Sequence, residues 1–397
     1  MDLYLTAAET AFRDELRGWL ASAVPPDRRP PTGETARLEE MRTWQGTLAA
    51  GGWAVPGWPQ RLGGRDSGPV ELMLYEQEMA RARAPRGLNV IGTGWGGAAV
   101  LRHGTEEQQD RLLGPVPSGA EIWCQLFSEP DAGSDLASLR TRAVRDGDGW
   151  RIDGAKVWSS FAHVADRGIL LARTATDGPR HAGITCFIID MRQPGIRCSP
   201  IRQMTGDSDF NEVSFEAARV QDGDRIGAVG EGWRVAVTTL LAERVGLCAG
   251  EGTLWGQGPS FRDVLDLWRR RRDAGLLPEG AERALLRDEF AGLHITGEAL
   301  RLTGLRLLSG VARGRLPAAE MSVRKLGSDV WGQAVHEAVA RLLGPAALLE
   351  AGSPGAVDDG GWERAYLFAR ALTIGGGTTE VQRDILARRI LGLPASA

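Results

Sequence analysis

The chain has 397 residues, of which 43% are hydrophobic and 25% charged, the composition of an ordinary soluble globular protein with room for two or three domains. Its formal net charge of −4 argues against a nucleic-acid-binding protein or one held at a membrane by basic residues, because both need a cationic face. The N-terminal segment lacks the features of a secretory signal, and no apolar run approaches the roughly 20 residues of a spanning helix. We therefore expect a cytoplasmic protein that binds neither nucleic acid nor membrane.

The first 120 residues are predicted to form an all-helical domain. The capping box Thr6-x-x-Glu9 predicts the start of a helix, which Pro25 and Pro26 end. Further helices are predicted at about 35–50, at about 70–83 and after Thr105-x-x-Gln108.

From about residue 121 the pattern changes to short β-like runs separated by turn residues, such as "WRIDGAKVW", "RGILLART", "GITCFIIDM" and "NEVSFEAARV". Helical periodicity returns after "GAVGEGW". Helices are then predicted over "RVAVTTLLAERVGLCAG" and at about 259–273, 279–312, 316–343, 362–372 and 378–391. The sequence therefore predicts an α+β multidomain fold with an N-terminal α-helical domain (1–120), a middle antiparallel β domain (121–227) and a C-terminal α-helical bundle (228–397).

Several common functional motifs are absent or out of context. Gly92, Gly94 and Gly97 match G-x-G-x-x-G, but their surroundings are helical, so we favour a helix contact or a loop over a nucleotide site. No G-x-S-x-G elbow of a serine hydrolase occurs. The four cysteines and five histidines show neither C-x-x-C nor H-E-x-x-H spacing, so we expect buried free thiols and no metal site. Lys156 and Lys325 are the only lysines, a bias that GC-rich coding explains as well as any function does.

Two segments of the β domain carry side chains suited to a heterocyclic ligand. In "WCQLFSEPDAGSDLASL", backbone donors and the hydroxyls of Ser128 and Ser134 surround a turn. In "GAKVWSS", Trp158 and Ser160 are two residues apart, so in a strand an indole and a hydroxyl would share a face. Taken alone, the first segment is also explained by a structural turn, and the second by a tryptophan in the core.

With these motifs the chain resembles the acyl-CoA dehydrogenase family over essentially its whole length. "FSEPDAGSDLASL" is similar to the family's flavin-binding signature, "KVWSS" to its Trp-x-Thr flavin contact, and "IGGGTTEVQRDILARRILGLP" to its C-terminal signature. The resemblance implies FAD as cofactor. It implies as cofactor-binding residues Gln125, Phe127, Ser128, Gly133, Ser134, Trp158, Ser160, Thr378 and Glu380.

The chain departs from the family pattern where the adenosine end of FAD is usually held. The Arg-x-x-Phe-Gly element, through which a neighbouring subunit usually contacts FAD, is not evident. The usual glutamine and double glycine are replaced by Arg341, Gly344 and Pro345 in "RLLGP".

The catalytic base also departs from much of the family. The register of Ile374 and Thr378 places Gly376 where the resemblance puts a glutamate. A second family solution has the glutamate on the first long helix of the C-terminal domain, and Glu243 matches that place among apolar residues that would raise its pKa. We favour Glu243 as the base over an ion pair, for instance with Arg244.

The resemblance implies α,β-dehydrogenation of an acyl thioester, with Ser134, Arg244 and Gly376 on the substrate side. Arg244 could equally be solvated, and Glu380 fits capping and cofactor contact better than proton transfer. The expected electron acceptor is an electron-transferring flavoprotein, and the expected assembly is a homodimer or homotetramer. The alternative is a catalytically incomplete subunit of a heteromeric dehydrogenase. Coenzyme A and carrier-protein thioesters, and so fatty acid and polyketide metabolism, both remain open.

Overall fold

The computed structural model describes residues 4–26, 28, 31, 33–249, 252–255, 257–315 and 319–394. Its helices are α1 (Ala7–Ala23), α2 (Glu34–Ala50), α3 (Pro69–Arg81), α4 (Gly97–His103), α5 (Glu106–Leu113), α6 (Gly232–Ala249), α7 (Phe261–Asp273), α8 (Gly280–Ala312), α9 (Met321–Leu343), α10 (Gly361–Phe368) and α11 (Thr379–Ile385). Its strands are β1 (Trp123–Leu126), β2 (Arg142–Asp146), β3 (Gly149–Ser160), β4 (Arg167–Arg173), β5 (Ile184–Asp190), β6 (Ile196–Ile201), β7 (Phe210–Gln221), β8 (Arg225–Ile226), β9 (Gly252–Leu254) and β10 (Gln257–Ser260). This order of helices, sheet and helices confirms the predicted fold class.

Local capping chemistry fixes the predicted helix starts. The Thr6 hydroxyl accepts a hydrogen bond from Glu9 N, and the Glu9 carboxylate accepts one from Thr6 N at 2.7 Å. Thr105 and Gln108 form the same reciprocal pair before α5. Each pair satisfies backbone N–H groups that a helix leaves without a partner in its first turn.

The eight strands β1 to β8 form one sheet with the order β6-β7-β3-β2-β4-β5-β8, and β1 also pairs with β4. Most pairs are antiparallel, as predicted, but β1 runs parallel to β4, with Trp123 opposite Arg167. β2 and β4 are also parallel where Arg142 lies opposite Arg173. Since β5 holds the other edge of β4, β1 and β2 follow one another along the same edge. The chain between them forms a loop at the end of β1.

β4 and β5 are buried on both faces, which explains their continuous apolar sequences. Alternate residues of β4 enter different cores: Ile169 packs with residues of α4 and α5, whereas Leu170 packs with residues of β3 and β7. The central strands therefore provide a rigid base for the loop that follows β1.

A buried asparagine fixes the beginning of β1. Asn89 is fully buried, and its amide nitrogen donates to the carbonyl oxygens of Val116 and Glu121. Its side-chain oxygen accepts a hydrogen bond from Trp123 N at 2.9 Å. The start of the strand is thus tied to the helical region before it.

The chain forms two compact units, and their bounds do not follow linear order. One contains Met1–Arg28, Gly68–Ala84 and Arg244–Ala397, and the other Arg29–Ser67 and Pro85–Glu243. We call them the bundle unit and the sheet unit. In the bundle unit, the α1 residue Arg17 forms an ion pair with Glu78 of α3 at 2.6 Å.

The bundle unit also contains a short antiparallel hairpin, β9–β10, inside a region predicted to be wholly helical. The hydroxyl of Thr253 in β9 lies 2.7 Å from Pro259 O and 2.9 Å from His336 Nε2 of α9. Ser260 then caps α7 with Asp263. No helix in the described part of the chain is long and apolar enough to cross a membrane.

Candidate functional site

The loop of residues 127–134 contains most of the predicted ligand-binding positions of the sheet unit. Phe127 is 3% exposed, Ser128 is half-buried, and Gly133 and Ser134 are exposed. A tight turn closes where the backbones of Glu129 and Ala132 exchange two hydrogen bonds of 3.1 Å. The loop therefore presents a buried ring, hydroxyls and exposed backbone within eight residues.

Gln125 comes just before this loop, on β1. Its side-chain oxygen Oε1 is buried and has no hydrogen-bond partner among the described residues. A buried acceptor without a donor is costly in a folded protein, so such an atom indicates a missing ligand or water. This position therefore supports the predicted binding role of Gln125.

A buried ion pair holds the 127–134 loop against β3. Lys156 has a fully buried side chain, and its ammonium donates to Phe127 O at 2.9 Å and to Glu129 Oε1 at 2.8 Å. The same carboxylate accepts hydrogen bonds from the backbone N–H groups of Arg140 and Thr141. Burial lowers the pKa of Lys156 to about 8, although Glu129 opposes this shift. Burial would raise the pKa of Glu129, but Lys156 and the N–H donors hold it below its ordinary value.

Trp158 and Ser160 lie on β3 as predicted, but the strand between them is not regular. The pairing of β3 with β7 shifts register between Lys156 and Ser159, and Trp158 has a left-handed φ of 61°. The indole is 59% exposed and meets Phe210 edge-on at 5.9 Å. Such a bulge aims a side chain away from the regular strand direction. An indole face is therefore uncovered next to the hydroxyl-bearing end of β3.

In the bundle unit, residues 373–378 form the glycine loop before α11. Gly376 and Gly377 have φ values of 65° and 89°, a left-handed pair that favours glycine. The loop closes where Thr379 N donates to Thr373 O at 3.0 Å. Among the described residues, no group accepts a hydrogen bond from the N–H of Gly376. This N–H is therefore a candidate donor to a ligand.

Two side chains take up the carbonyl groups of the glycine loop. Gln382 Nε2 donates to Gly376 O at 3.1 Å and to Gly377 O at 3.2 Å. The Lys325 ammonium donates to Gly377 O and Leu372 O, each at 3.0 Å, and pairs with Asp329 at 2.5 Å. Burial raises the pKa of Asp329 to about 6, with Lys325 acting in the opposite direction. The carbonyl oxygens of Gly376 and Gly377 thus accept hydrogen bonds from internal donors, whereas the N–H of Gly376 has no acceptor among the described residues.

Thr378 and Glu380 occupy the beginning of α11. Thr378 is the N-cap, and its hydroxyl accepts a hydrogen bond from Val381 N at 3.3 Å. Glu380 lies exposed in the first turn, as predicted from its position. A carboxylate there is favourable because the helix N-terminus is partly positive.

The predicted base Glu243 lies on α6 and is half-buried. The raised pKa expected for it stays a prediction. Arg244 is the next residue of the same helix, but its side chain lies outside the described residues.

The remaining predicted features have structural explanations. Gly97 begins α4, and a Cβ there would lie 2.3 Å from the Trp58 ring, so the glycine permits the close contact that we predicted. Arg341, at the altered FAD position, forms an ion pair with Glu289.

The cysteines and histidines were predicted to form neither disulfides nor a metal site. Cys124, Cys186 and Cys198 are free thiols, whereas the side chain of Cys248 lies outside the described residues. Among the described residues, no group of three or more His, Cys, Asp or Glu side chains could hold a metal ion.

Sequence reasoning missed the residues that fix the two loops, above all Lys156 and Lys325. A usable signal was present, because these are the only lysines in a chain that otherwise uses arginine. Glu129 lies inside the segment that is similar to the flavin signature, but its spacing does not mark it as a partner of Lys156. Lys156 bonds to Glu129, 27 residues away in sequence, and Lys325 bonds to the carbonyl of Gly377, 52 residues away, and local patterns do not encode such contacts.

Sequence models of three acyl-CoA dehydrogenase domains match the chain. The N-terminal domain matches residues 6–120, the middle domain residues 124–218 and the C-terminal domain residues 230–391. Among curated proteins, "Acyl-CoA dehydrogenase IpdE1" of Mycobacterium tuberculosis (strain H37Rv) is 38% identical over 396 residues, covering 97% of this chain and 98% of that relative.

Two solved structures match the chain over its full length. One is described as "Tcur3481-Tcur3483 steroid ACAD", with 31% identity, a TM-score of 0.85 and 100% of both chains covered. The other is the ChsE4-ChsE5 complex from Mycobacterium tuberculosis, with 29% identity, a TM-score of 0.80 and 100% of both chains covered.

Proposed function

We propose that Glu243 is the catalytic base, from the premise that this chain belongs to the acyl-CoA dehydrogenase family. The expected function is therefore FAD-dependent dehydrogenation of an acyl thioester, and the chain is an oxidoreductase of the flavoenzyme type. One observation carries the proposal for Glu243. α6 supplies a half-buried carboxylate, whereas Gly376 occupies the position at which the resemblance places the usual glutamate.

FAD is the expected cofactor, and the sheet unit fits its ring system. The unpaired Gln125 oxygen is an acceptor for a ring N–H, and the exposed face of Trp158 suits stacking on a flat heterocycle. Exposed backbone at Gly133 leaves room for close approach of a ligand. The residues proposed to hold FAD are Gln125, Phe127, Ser128, Gly133, Ser134, Trp158, Ser160, Thr378 and Glu380.

In the proposed reaction, the Glu243 carboxylate removes the α-proton of the acyl thioester. Bound FAD supplies the acceptor for the hydride from the β-carbon. The N–H of Gly376 donates a hydrogen bond to the thioester oxygen, where negative charge develops, and Ser134 and Arg244 lie on the substrate side. A general base contributes about 10² to 10⁴ in rate and an oxyanion donor about 10² to 10³.

Glu243→Gln tests the base directly. The substitution keeps the side-chain shape but removes the proton acceptor, so we expect an unchanged bound-flavin spectrum and loss of bleaching by substrate under anaerobic conditions. Glu231→Gln is the control, since this glutamate precedes the same helix and pairs with Arg234 at 2.7 Å. Undiminished bleaching in Glu243→Gln would reject the base, whereas a colourless wild-type protein would reject the flavoenzyme function itself.

A second candidate function is that of one subunit in a heteromeric dehydrogenase. Three observations favour it. Gly376 lies where the resemblance places a glutamate, Arg341 forms an ion pair with Glu289, and both full-length structural relatives have names with two components. Such a subunit would supply part of a site that its partner completes. The primary proposal remains a homodimer or homotetramer.

Expression alone and with a homologous subunit separates these assemblies. A homo-oligomer purifies with stoichiometric FAD and full activity on its own. A heteromeric subunit gains FAD or activity only on co-expression, and light scattering then gives a mass equal to a sum of both chains.

The name of one of these structural relatives supports a proposal for the substrate class. One of them is called a steroid enzyme, so we propose that the substrate is a bulky polycyclic acyl thioester. Because Gly376 has no side chain, it would leave more room for such an acyl group than a glutamate would. Anaerobic bleaching with linear, branched and steroid acyl-CoA esters measures this preference, and equal or better turnover of linear chains would contradict it.

We further propose an electron-transferring flavoprotein as acceptor and a cytoplasmic location. Turnover that requires an electron-transferring flavoprotein and is negligible with oxygen would support this acceptor. Cell fractionation tests the cytoplasmic location. The domain boundaries after residues 120 and 227 are likewise proposals, which limited proteolysis can test.

A further inference from the structure

The two lysines of the chain have the same structural role at two separate places. Each side chain is buried, with 0% exposed for Lys156 and 4% for Lys325. Each ammonium pairs with a buried carboxylate and also donates to a backbone carbonyl of a loop that carries proposed ligand-binding positions. Elsewhere the chain uses arginine as its basic residue.

The chemistry of the ammonium group explains why lysine occurs at these positions. A lysine ammonium is a compact charge with three donors, whereas the planar guanidinium of arginine needs a wide, flat set of acceptors. Around Lys325, three acceptors converge on one nitrogen: Asp329 Oδ2, Leu372 O and Gly377 O. Around Lys156, the acceptors are Phe127 O and Glu129 Oε1.

From this geometry we propose that Lys156 and Lys325 are positioning residues, which anchor the 127–134 loop and the glycine loop for cofactor and substrate. Lys156 fixes the backbone at Phe127, next to the flavin-binding positions. Lys325 fixes the carbonyl of Gly377, directly after the N–H proposed to bind the thioester oxygen. The partners of both amines are protein acceptors, so each is assigned to position its loop and not to bind a ligand. The assignment rests on the proposed function, because it concerns the same loops.

The buried charge pairs alone do not explain this arrangement. Removing one partner of such a pair leaves an uncompensated charge, whereas removing both charges is often nearly neutral for stability. A purely structural role therefore predicts that neutralising both partners restores the stability, the FAD affinity and the kcat of the wild type. A positioning role predicts that stability returns but loop geometry does not, since the lysine bonds to the carbonyls remain lost.

For the 127–134 loop, the test compares Lys156→Met, Glu129→Gln and the double variant. We expect Lys156→Met to lower the melting temperature, and the double variant to recover most of it. The affinity for FAD, measured by flavin absorbance and fluorescence, should remain at least about tenfold below the wild-type value in the double variant, which corresponds to about 1.4 kcal/mol. Glu129→Gln alone keeps the Lys156 bond to Phe127 O and should weaken FAD binding less.

For the glycine loop, the test is Lys325→Met combined with Asp329→Asn. Loss of orientation at the Gly376 N–H should lower kcat about tenfold or more with little change in KM, because an oxyanion donor acts mainly in the transition state. FAD affinity should fall less than in the Lys156 series, because only Thr378 and Glu380 of the proposed FAD-binding residues adjoin this loop.

Control variants remove ion pairs whose residues lie outside both loops. Arg167→Met breaks a pair with Glu121 in the sheet unit, and Arg17→Met breaks the pair with Glu78 in the bundle unit. Both controls should keep wild-type FAD affinity and kcat. Double variants that recover wild-type FAD affinity and kcat together with stability would overturn the positioning role, while a flavin-free wild type would overturn the proposed function instead.

Discussion

His336 lies in the middle of α9 with 1% of its surface exposed. The Thr253 hydroxyl donates its single hydrogen to Pro259 O, so it must accept the second hydrogen bond from His336 Nε2. This fixes the neutral tautomer with the proton on Nε2. The other ring nitrogen, Nδ1, has no partner among the described residues. Burial, with a smaller contribution from Arg370, lowers the pKa of His336 to about 4.

This histidine predicts acid sensitivity of the bundle unit. In the unfolded chain its pKa is about 6.5, so between about pH 4 and 6.5 the unfolded state binds more protons than the folded state. The contribution of His336 to stability is therefore lost as the pH falls through that window, by roughly 2 kcal/mol between pH 7 and 5. Urea unfolding at the two pH values measures the loss.

His336→Gln removes the titrating group while keeping a donor for Thr253. We expect this variant to lose less stability than wild type on acidification, even if it is less stable at pH 7. His294→Gln, on the exposed surface of α8, controls for removal of a histidine. An unchanged slope in His336→Gln would show that other groups cause the acid sensitivity.

At the scale of elements, the glycine loop combines two constraints that can be separated by substitution. Gly377 has a left-handed φ of 89°, and a Cβ there would lie 2.6 Å from Gln382 Nε2. Gln382 in turn holds the carbonyls of Gly376 and Gly377. Gly314, after α8, has a similar φ of 75° but no atom within 4 Å of an added Cβ.

We expect Gly314→Ala to cost only the left-handed strain, about 1–2 kcal/mol, and to leave turnover unchanged. Gly377→Ala should cost more, because the new methyl group displaces Gln382 and disturbs the backbone beside Gly376. Thermal unfolding and kcat compare the two variants. Equal losses in both would mean that the contact with Gln382 is unimportant.

Elements with strong local signals could be predicted from the sequence. Capping boxes gave the starts of α1 and α5, and the unbroken apolar runs of β4 and β5 fit strands buried on both faces. The hairpin β9–β10 was missed because it is short and rich in glycine, without the alternation that marks a strand. The bulge at Trp158 was missed because it arises from pairing with β7, which is distant in sequence.

At the scale of the whole molecule, the division into units could not be predicted from order along the chain. The helices α1 and α3 belong to the bundle unit, whereas α2, which lies between them in sequence, belongs to the sheet unit. Helical periodicity shows which face of a helix is apolar but not which partner covers it. The site residues show the same limit, since motifs located the loops but not the lysines that fix them.

The placement of the two lysines makes a prediction about the whole surface. Exposed positive charge is carried by arginine, which amine-selective acylating reagents do not modify, and both lysine side chains are almost completely buried. Burial lowers the pKa of Lys156 to about 8, which increases the unprotonated fraction of its amine at that pH, but the reagent has no access to it. We therefore expect neither lysine to be acylated in the native protein at about pH 8.

Peptide mass spectrometry after brief acylation, with and without denaturant, measures this protection. Both lysines should become modified on unfolding. Arg219→Lys provides the positive control, because that side chain is 74% exposed on β7 and its replacement should react in the native state. Native acylation of Lys156 or Lys325 at the rate of this control lysine would contradict the burial of both ion pairs, and with it the anchoring of the two loops.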